Sequence, residues 1–318
     1  MAMRIVTARE IDRLVTVASL VDALREAFRG DIVTPMRHHH EVGEGAGHAT
    51  HLLMPAWTAD APGRGAFLGT KIVNIFPSNG ANGLPAVLGT YLLMSGETGA
   101  PLAAIDGTRL THRRTAAASA LASSYLSRPD ASRLTMVGAG ALSPFLVRAH
   151  ADQRPIRSVT IWNHRPEKAV ALADELSLEG FNVRAEADLA AAVSEADIVS
   201  CATLAHSPLI EGAWLKLGTH LDLVGAFNKS MREADDEALR RGSLFVDTEA
   251  ALTEGGDVAL ALEAGAIEPP HVLATLRDLC RGGHPGRRRT DEITVFKSVG
   301  TAIEDLAAAM LVWHLVTP

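Results

Sequence analysis

The feature that most constrains the fold is a strand–turn–helix–strand unit between residues 134 and 165. An apolar run at 134–137 leads into a glycine-containing turn at 138–143, apolar residues then recur at helical spacing, and a second apolar run occupies 159–162. Two strands joined by a helix in this way run parallel in one sheet. The unit therefore predicts an α/β domain built around a parallel sheet.

The turn has the spacing Gly138-x-Gly140-x-x-Ser143. In a dinucleotide-binding unit the first glycine gives a tight turn, the second lets the backbone approach a pyrophosphate, and the phosphates sit at the N-terminus of the next helix. Ser143 replaces the usual third glycine. So short a pattern also fits an ordinary glycine turn, and the dinucleotide interpretation depends on the strands and helix around it.

The second strand ends in Trp162-Asn163-His164-Arg165, without a carboxylate. An acidic residue about 20 positions after the turn holds the ribose 2′-hydroxyl of NAD(H), whereas an arginine suits the 2′-phosphate of NADP(H). Asn163 stands 25 positions after Gly138 (163 − 138), and His164 and Arg165 follow it. The tip of this strand therefore favours NADP(H).

Composition excludes several classes of protein. The chain has 318 residues, enough for two domains, of which 47% are hydrophobic and 21% charged. A formal net charge of −7 argues against a nucleic-acid partner, and the arginine run at 287–289 is interpreted as a solvated loop. Two cysteines outside any zinc spacing, no signal-peptide pattern and no uncharged apolar run of about 18 residues predict a cytoplasmic protein without membrane contact.

Local patterns change along the chain. Thr7 with Glu10, and Ser19 with Asp22, predict helix N-terminal boxes, the second opening an amphipathic helix. Short β-like runs then predict an antiparallel sheet, at 48–54, 67–76, 87–94 and 102–105. A long Ala-rich helix is expected at 108–127.

From residue 133 to about residue 280 strands and helices alternate, which is typical of a doubly wound parallel sheet. Its further strands are expected near 183 and at 198–201, 220–224 and 244–247. A last strand at 293–297 and a last helix at 299–316 are expected to return to the first domain. The predicted fold class is α/β, with a Rossmann-type nucleotide-binding domain at 116–290 and a discontinuous α+β domain made of 1–115 and 291–318.

Several short motifs occur in a fixed order. They are Gly69-Thr-Lys71-Ile-Val, Phe76-Pro-Ser-Asn79, Gly83-Leu-Pro85, Asp106-Gly-Thr-Arg-Leu-Thr111, Arg114-Thr-Ala-Ala, and Thr294-Val-Phe-Lys-Ser-Val-Gly300 with Glu304-Asp305. From about residue 37 to the C-terminus the chain resembles the ornithine cyclodeaminase/μ-crystallin family. The resemblance implies a substrate-binding domain built from both chain ends, whose sheet pairs with that of a second subunit to form a homodimer.

The activities of that family include cyclodeamination of ornithine or lysine, alanine dehydrogenation and reduction of cyclic ketimines such as Δ1-pyrroline-2-carboxylate, and some members mainly bind a ligand and NADPH. A shared fold does not select among these activities. Residue by residue, Arg37 resembles the family's substrate-carboxylate arginine, Lys71 its active-site lysine, and Arg114 the arginine of its Arg-Thr-Ala-Ala motif. Two planar guanidinium groups can fix the carboxylate of a small substrate, although each arginine also fits a plain ion pair.

The cofactor-binding residues expected from the turn, the strand tips and the resemblance are Thr115, Gly138, Ala139, Gly140, Ala141, Leu142, Asn163, His164, Arg165, Thr203, Val224 and Ser298. Ser200 and Ser207 near Thr203, and Lys297 beside Ser298, are weaker candidates. Leu142 stands where the family often has Gln, which removes one polar contact to the cofactor. Asp247 fits either a ligand contact or a helix cap, and Glu304 and Asp305 are expected at a helix surface or a dimer contact.

The second departure from the family pattern concerns Phe227. Cyclodeaminases place an Asp after the Gly-Ala pair that here precedes Phe227, and that Asp is the group expected to move protons in deamination. A phenyl ring cannot replace it. Reduction of a preformed C=N bond asks for less, because it needs a bound carboxylate, a hydride from NADPH and one proton. Phe227 is then an apolar wall, and Lys71 orients the imine and supplies the proton, with its pKa lowered by nearby arginines.

A metal site is not expected. His38, His39 and His40 alternate across a β-like run, so that at most two share a face, and no Cys or Asp nearby completes a site. A solvated strand is the default interpretation, and one histidine beside the substrate is the alternative.

The sequence thus predicts NADPH-dependent reduction of a cyclic imino acid, Δ1-pyrroline-2-carboxylate or its six-membered homologue Δ1-piperideine-2-carboxylate, to L-proline or L-pipecolate. Lys71 and Arg114 are the predicted catalytic residues, and Arg37 and Phe227 complete the substrate contacts. The spelling Gly225-Ala-Phe with Met231-Arg-Glu also resembles the ketimine-reductase branch. Two alternatives stay open: an NAD(H)-linked ornithine cyclodeaminase or alanine dehydrogenase, and a protein that binds NADPH and a ligand without turnover.

Overall fold

The computed structural model describes residues 3–43, 49–59, 66–76, 78–79 and 83–317. His48, at the start of a predicted strand, and Pro77, in the Phe76 motif, lie outside these ranges. The chain divides into two compact units. The first comprises Met1–Thr115 and Thr301–Pro318, and the second comprises Ala116–Gly300.

The first unit contains the predicted antiparallel sheet. Its strands are β1 (Arg4–Val6), β2 (Ile32–Val33), β3 (His38–Val42), β4 (Ala49–Thr58), β5 (Phe67–Ile75), β6 (Val87–Ser95) and β7 (Pro101–Asp106). They follow the order β1-β7-β6-β5-β4-β2, and β3 also pairs with β4. All these pairs are antiparallel except β1 with β7, which the sequence did not predict.

The helices at the chain start are α1 (Ala8–Leu14) and α2 (Val17–Arg29), and α3 (Gly107–Leu126) follows β7. Thr7 and Glu10 form the predicted capping box of α1. The second box was wrong by one turn: α2 begins at Val17, so Thr16 is its cap, and Ser19 at the third helical position closes the box. Asp22 pairs instead with Arg25 on the surface of that helix.

The second unit is built on eight parallel strands. They are β8 (Arg133–Val137), β9 (Ser158–Trp162), β10 (Val183–Ala185), β11 (Ile198–Cys201), β12 (His220–Leu223), β13 (Ser243–Val246), β14 (Val272–Thr275) and β15 (Thr294–Lys297). Their order is β10-β9-β8-β11-β12-β15-β13-β14, and the order reverses at β8 and β11. The connecting helices are α4 (Ser143–Gln153), α5 (Pro166–Leu178), α6 (Leu189–Glu195), α7 (Asp236–Arg241), α8 (Gly256–Glu263) and α9 (Leu276–Arg281).

The central strands of this sheet are buried at every position of β11, β12 and β15. Such continuous burial is expected where helices cover both faces of a parallel sheet. The predicted Rossmann-type fold is therefore confirmed. At the opening between β8 and β11, where the strand order reverses, folds of this type bind their ligands.

The predicted domain boundary at residue 291 is wrong. β15 lies between β12 and β13 and pairs with both, so residues 291–300 complete the parallel sheet. Only the last helix, α10 (Ala302–Val316), belongs to the first unit, where it packs on β4, β5 and β6 and against α2. A strand of four residues carries no local signal of the sheet that it joins.

A buried carboxylate fixes the middle of the parallel sheet. Asp222 on β12 accepts hydrogen bonds from Oγ of Ser119 at 3.0 Å and Oγ of Ser200 at 2.8 Å, and Nε2 of His150 lies 3.2 Å away. Ser200 therefore serves the core and does not reach a ligand. No helix in the described ranges is long and apolar enough to cross a membrane.

Candidate active site

A buried ionic cluster lies in the first unit. Lys71 on β5 and Arg114 on α3 are 2% and 5% exposed. Nζ of Lys71 donates to Oδ1 of Asp305 at 2.9 Å and lies 2.8 Å from Oδ2. Arg114 donates through Nε to Asp305 at 2.9 Å and through Nη1 to Glu304 at 2.6 Å. We call these four residues the Lys71 cluster.

The carboxylates of this cluster correct one prediction. Glu304 and Asp305 were expected at a helix surface or a dimer contact, yet they are 1% and 0% exposed. Their helix is apolar on all sides, and a helix of that kind is buried. The signal was present in the sequence, because two acids in such a helix require buried cations as partners.

The alternation of β5 brings Lys71 to this cluster. Buried and half-buried residues alternate along the strand, and Lys71 lies on the buried face. The register pairs it with Tyr91 on β6 and Met54 on β4. Gly69 makes room for the side chain of Tyr91, since a Cβ added to Gly69 would lie 2.3 Å from the Tyr91 hydroxyl oxygen. That hydroxyl is buried and has no hydrogen-bond partner among the described residues.

Burial shifts the acidity of the groups in the cluster. It lowers the pKa of Lys71 to about 8, helped by the charge of Arg114 and opposed by Asp305 and Glu304. Burial alone acts to raise the pKa of Asp305, but Arg114 and Lys71 hold it below its usual value. The arginines were predicted to lower the pKa of Lys71; Arg114 alone does so, and its effect is smaller than that of burial. At neutral pH Lys71 carries a proton that it can release at moderate cost.

One edge of the Arg114 guanidinium has no hydrogen-bond partner within the described residues. Its Nε and Nη1 bind the two carboxylates, while Nη2 makes no hydrogen bond within the described residues. Arg37 is half-buried and directly precedes β3. Because His38 pairs with Leu53, the register carries Arg37 toward Met54, the cross-strand partner of Lys71.

The second unit contains a cleft of about 410 Å³ at the carboxyl ends of β8, β9 and β11. Seven predicted cofactor residues line it, namely Gly138, Ala139, Gly140, Asn163, His164, Arg165 and Thr203. Its other lining residues were not predicted: Trp162, Lys168, Ala202, Leu204, Ala205, His206 and Leu209. Lys168 adds a cation one helical turn after Arg165, a signal that the strand tip alone did not give.

The remaining predicted cofactor residues do not line the cleft. Ala141 and Leu142 lie in the turn before α4, and Val224 and Ser298 are buried directly after β12 and β15. Thr115 lies on α3 in the first unit.

The glycine turn has the geometry that a dinucleotide requires. Gly138 has a φ of 107°, and an added Cβ would lie 2.6 Å from the Ala202 carbonyl oxygen, so only glycine fits. In front of Gly140 the space is open, since an added Cβ would meet nothing within 4 Å. Oγ of Ser143, in place of the third glycine, accepts from the Gly140 amide at 3.1 Å. These residues fit a pyrophosphate at the start of α4.

Asn163 supports the turn. Its Oδ1 accepts a hydrogen bond from the Ala139 amide at 3.2 Å, and its Nδ2 donates to the Arg165 carbonyl at 3.0 Å. Among the residues that line the cleft, the exposed charged groups at this tip are Arg165 and Lys168, beside His164.

Two further candidates hold the fold of the second unit. Asp247 is 1% exposed, and its Oδ2 accepts from the amides of Val299 and Gly300 at 2.8 and 2.7 Å, which favours neither a helix cap nor a ligand contact. Lys297 is fully buried, and its Nζ lies 3.1 Å from Oδ2 of Asp257. Phe227 is 39% exposed in the loop after β12.

The histidine run forms a solvated strand. All residues of β3 are exposed, and the rings of His38 and His40 are 6.4 Å apart. Within the described part of the chain no three His, Cys, Asp or Glu side chains are grouped to hold a metal ion.

Comparisons with known proteins agree with this architecture. The model of the ornithine cyclodeaminase/mu-crystallin family matches residues 1–317. A Δ(1)-pyrroline-2-carboxylate reductase of Paracoccus denitrificans is 41% identical over 286 residues, which cover 89% of each chain.

Solved structures cover the chain equally well. The Δ(1)-pyrroline-2-carboxylate reductase of Thermococcus litoralis, in complex with NADH and L-proline, has a TM-score of 0.92 at 33% identity and covers 98% of this chain and 97% of its own. An archaeal alanine dehydrogenase dimer with bound NAD has a TM-score of 0.91 at 30% identity, with coverage of 99% and 96%. The chain belongs to the ornithine cyclodeaminase/mu-crystallin family.

Proposed function

We propose that this protein reduces a cyclic ketimine acid, Δ1-pyrroline-2-carboxylate or its six-membered homologue, to the corresponding L-amino acid. The observation that carries the proposal is the buried Lys71 cluster, in which a lysine with a pKa of about 8 lies beside an arginine with unused donors. The relatives named as pyrroline-2-carboxylate reductases support the same substrate class.

Each basic residue has one role in this reaction. Arg114, through Nη2, and Arg37 hold the substrate carboxylate by charge-assisted hydrogen bonds. Lys71 then faces the ring nitrogen and gives it the proton that it needs when the C=N electron pair moves onto nitrogen. When bound, the nicotinamide cofactor supplies the hydride that C2 of the ring receives. Asp305 keeps Lys71 in place and favours its protonated form.

Phe227 supports reduction over deamination. It stands where cyclodeaminases carry an aspartate, and it offers no group that accepts a proton from an amine or a water molecule. The alternative of an alanine dehydrogenase-like enzyme is favoured by one observation, the likeness to the archaeal alanine dehydrogenase with bound NAD. That reaction requires ammonia or water at the imine carbon, and an apolar side chain does not assist either.

We infer that the cofactor is NADP(H). Arg165 and Lys168 line the cleft at the end of β9, where a 2′-phosphate binds in this fold, and no carboxylate among the residues that line the cleft is available for a 2′-hydroxyl. The solved relatives hold NADH or NAD, so the basic tip is the feature to test. Arg165→Ala is expected to weaken NADPH binding about tenfold, or roughly 1.4 kcal/mol, and to leave NADH binding unchanged.

We also infer a homodimer through the open face of the first unit's sheet. This face carries half-buried or exposed apolar residues, among them Leu53, Trp57, Leu68, Ile72 and Leu92, where a solvated antiparallel sheet has polar ones. A second copy of the chain fits it, as the family resemblance and the dimeric relative suggest. Ile72→Glu is expected to give monomers in sedimentation, and an unchanged dimer would contradict this interface.

Steady-state assays separate the three functions. The purified protein is expected to oxidise NADPH with Δ1-pyrroline-2-carboxylate and to release no ammonia from ornithine, whereas the opposite result refutes the proposal. A positioned proton donor accelerates a reaction by roughly 10²–10⁴-fold. Lys71→Ala is therefore expected to lower kcat about 100-fold or more, with NADPH affinity unchanged. A wild-type protein that binds NADPH but turns over neither substrate is a binding protein.

A further inference from the structure

Glu233 lies at the centre of a hydrogen-bond network beside the nucleotide cleft of the second unit. Its side chain is fully buried. Oε1 accepts from the amide and the hydroxyl of Thr203 at 2.6 and 2.9 Å. Oε2 accepts from the amides of Gly225 and Ala226 at 2.7 and 3.3 Å. One carboxylate therefore binds the segments that follow two neighbouring strands, β11 and β12.

These segments border the predicted ligands. Thr203 lines the nucleotide cleft, and Gly225 and Ala226 lead directly to Phe227. The main chain of Glu233 reaches the cleft as well, because its carbonyl accepts from the amide of Leu209, another lining residue, at 2.9 Å. A change at Glu233 thus reaches the cleft by two routes.

The two segments close tightly around the carboxylate. A Cβ added to Gly225 would lie 2.1 Å from the Thr203 carbonyl oxygen and 2.4 Å from Oε1 of Glu233, so no other residue fits there. The four hydrogen bonds of the carboxylate thus span a tightly packed contact between the two segments.

A second carboxylate, that of Asp257, binds the main chain of Glu233. Oδ1 of Asp257, on α8, accepts from the amides of Glu233 and Ala234 at 2.7 and 2.9 Å. Asp257 in turn pairs with Lys297 on β15 at 3.1 Å. We call Glu233, Asp257 and Lys297 the Glu233 cluster. It connects the loops at the cleft to the centre of the parallel sheet.

The charge of Glu233 controls how many bonds it accepts. An ionised carboxylate is purely an acceptor, whereas a protonated one turns one oxygen into a donor and opposes at least one of the four N–H and O–H groups. The groups that face it are Lys297, Asp257 and the thiol of Cys201. Burial raises the pKa of Glu233 to about 7, with Lys297 acting against the increase and Asp257 acting with it.

We propose that Glu233 is a positioning residue, whose ionised carboxylate holds the Thr203 and Gly225 segments in the conformation that binds the nicotinamide dinucleotide, so that one proton at this buried site sets the cofactor affinity. The proposal rests on the proposed function only for the identity of the cofactor. Since the ionised form binds, the dissociation constant is lowest above about pH 7 and rises as the pH falls through that value.

The test compares wild type with Glu233→Gln, which resembles the protonated side chain. The NADPH dissociation constant of each is measured by fluorescence titration from pH 5.5 to pH 8.5. Every other titrating group, including the 2′-phosphate, is common to both proteins, so its effect cancels in the ratio of the two constants. The ratio is expected to be roughly tenfold at pH 8.5 and about one at pH 5.5. A ratio that is the same at both pH values overturns the proposal.

Asp235→Asn is the matched control. Asp235 accepts from the amides of Gly212 and Ala238 at 2.9 and 2.8 Å, and neither residue lines the cleft. The NADPH affinity of the Asp235→Asn variant is expected to equal that of wild type at every pH. Should Glu233→Gln fail to fold, hydrogen exchange of the Thr203 and Gly225 amides in wild type replaces it. Protection, corrected for intrinsic exchange, must fall between pH 8.5 and pH 5.5, and constant protection overturns the proposal.

The outcomes separate this proposal from the proposed reaction. Binding of NADPH needs no turnover, so a pH-dependent ratio without ketimine reduction refutes the reaction and leaves the role of Glu233 intact. Ketimine reduction with a constant ratio refutes the role of Glu233 alone.

Discussion

The Lys71 cluster and the Glu233 cluster are both buried, but they satisfy their charges in different ways. In the first, two cations meet two carboxylates, and Nη2 of Arg114 makes no hydrogen bond within the described residues. In the second, the oxygens of Glu233 are occupied by main-chain amides and one hydroxyl. A cluster with unused donors facing a ligand site can take up an anionic ligand, while a carboxylate whose oxygens are both occupied by main-chain amides and a hydroxyl fixes the backbone around it.

Arg114→Ala is expected to have the largest effect on stability. It leaves Glu304 and Asp305 buried with a single cation, and breaking a buried ion pair costs about 3–5 kcal/mol of unfolding free energy. Its neighbour Arg113 is the control, because it binds Asp12 nearer the surface. Arg113→Ala is expected to cost about 1 kcal/mol. Denaturant unfolding measures both, and equal costs would mean that the Lys71 cluster is not desolvated.

Lys297→Met breaks the corresponding ion pair of the Glu233 cluster. The expected cost is smaller, roughly 2 kcal/mol, because Oδ1 of Asp257 still accepts from two main-chain amides. Lys229→Met, which removes an exposed pair with Glu263, is the control and should leave the unfolding free energy unchanged. If Lys297→Met lowers the unfolding free energy as much as Arg114→Ala does, the main-chain amides do not compensate the buried charge of Asp257, and the contrast between the two clusters is wrong.

The two clusters should also titrate in opposite senses. Lys71 donates its proton, so kcat is expected to hold below pH 8 and to fall about tenfold per pH unit above its pKa of about 8. Lys71→Arg, which keeps its proton at high pH, is the control. If Lys71→Arg retains measurable activity and the same alkaline decrease, the proton comes from a group other than Lys71.

Tyr91→Phe gives the smallest expected change. The hydroxyl of Tyr91 has no hydrogen-bond partner within the described ranges, and burial raises its pKa well above the usual value, so it stays neutral. Its removal is expected to leave the unfolding free energy unchanged or raise it by up to about 1 kcal/mol. If thermal or denaturant unfolding shows that the variant loses more than about 1 kcal/mol of unfolding free energy, the hydroxyl binds Asp305.

Local patterns predicted much of this structure. The alternation of strands and helices after residue 133 and the spaced β-like runs before residue 106 gave the right sheets. β15 was assigned to the wrong domain because four residues encode a strand but not its neighbours. Residue type alone places Glu304 and Asp305 at a helix surface and so hides the partners of Lys71, although the apolar helix around the two acids already requires their burial.

The role of Glu233 was beyond sequence reasoning. Its motif, Met231-Arg-Glu, indicates only a resemblance to one branch of the family. Nothing in the local sequence shows that this side chain, eight residues after Gly225, accepts a hydrogen bond from the Gly225 amide. Contacts between separated loops depend on the tertiary fold, which no periodicity encodes.

The most direct test of the central claim follows the hydride itself. The purified protein is incubated with Δ1-pyrroline-2-carboxylate and NADPH that carries deuterium in place of both hydrogens at C4 of the nicotinamide, and the product is examined by mass spectrometry and NMR. Reduction of the C=N bond predicts L-proline with one deuterium at Cα for each NADPH oxidised. Unlabelled proline would contradict it, as would the absence of proline together with release of ammonia in a parallel incubation with ornithine.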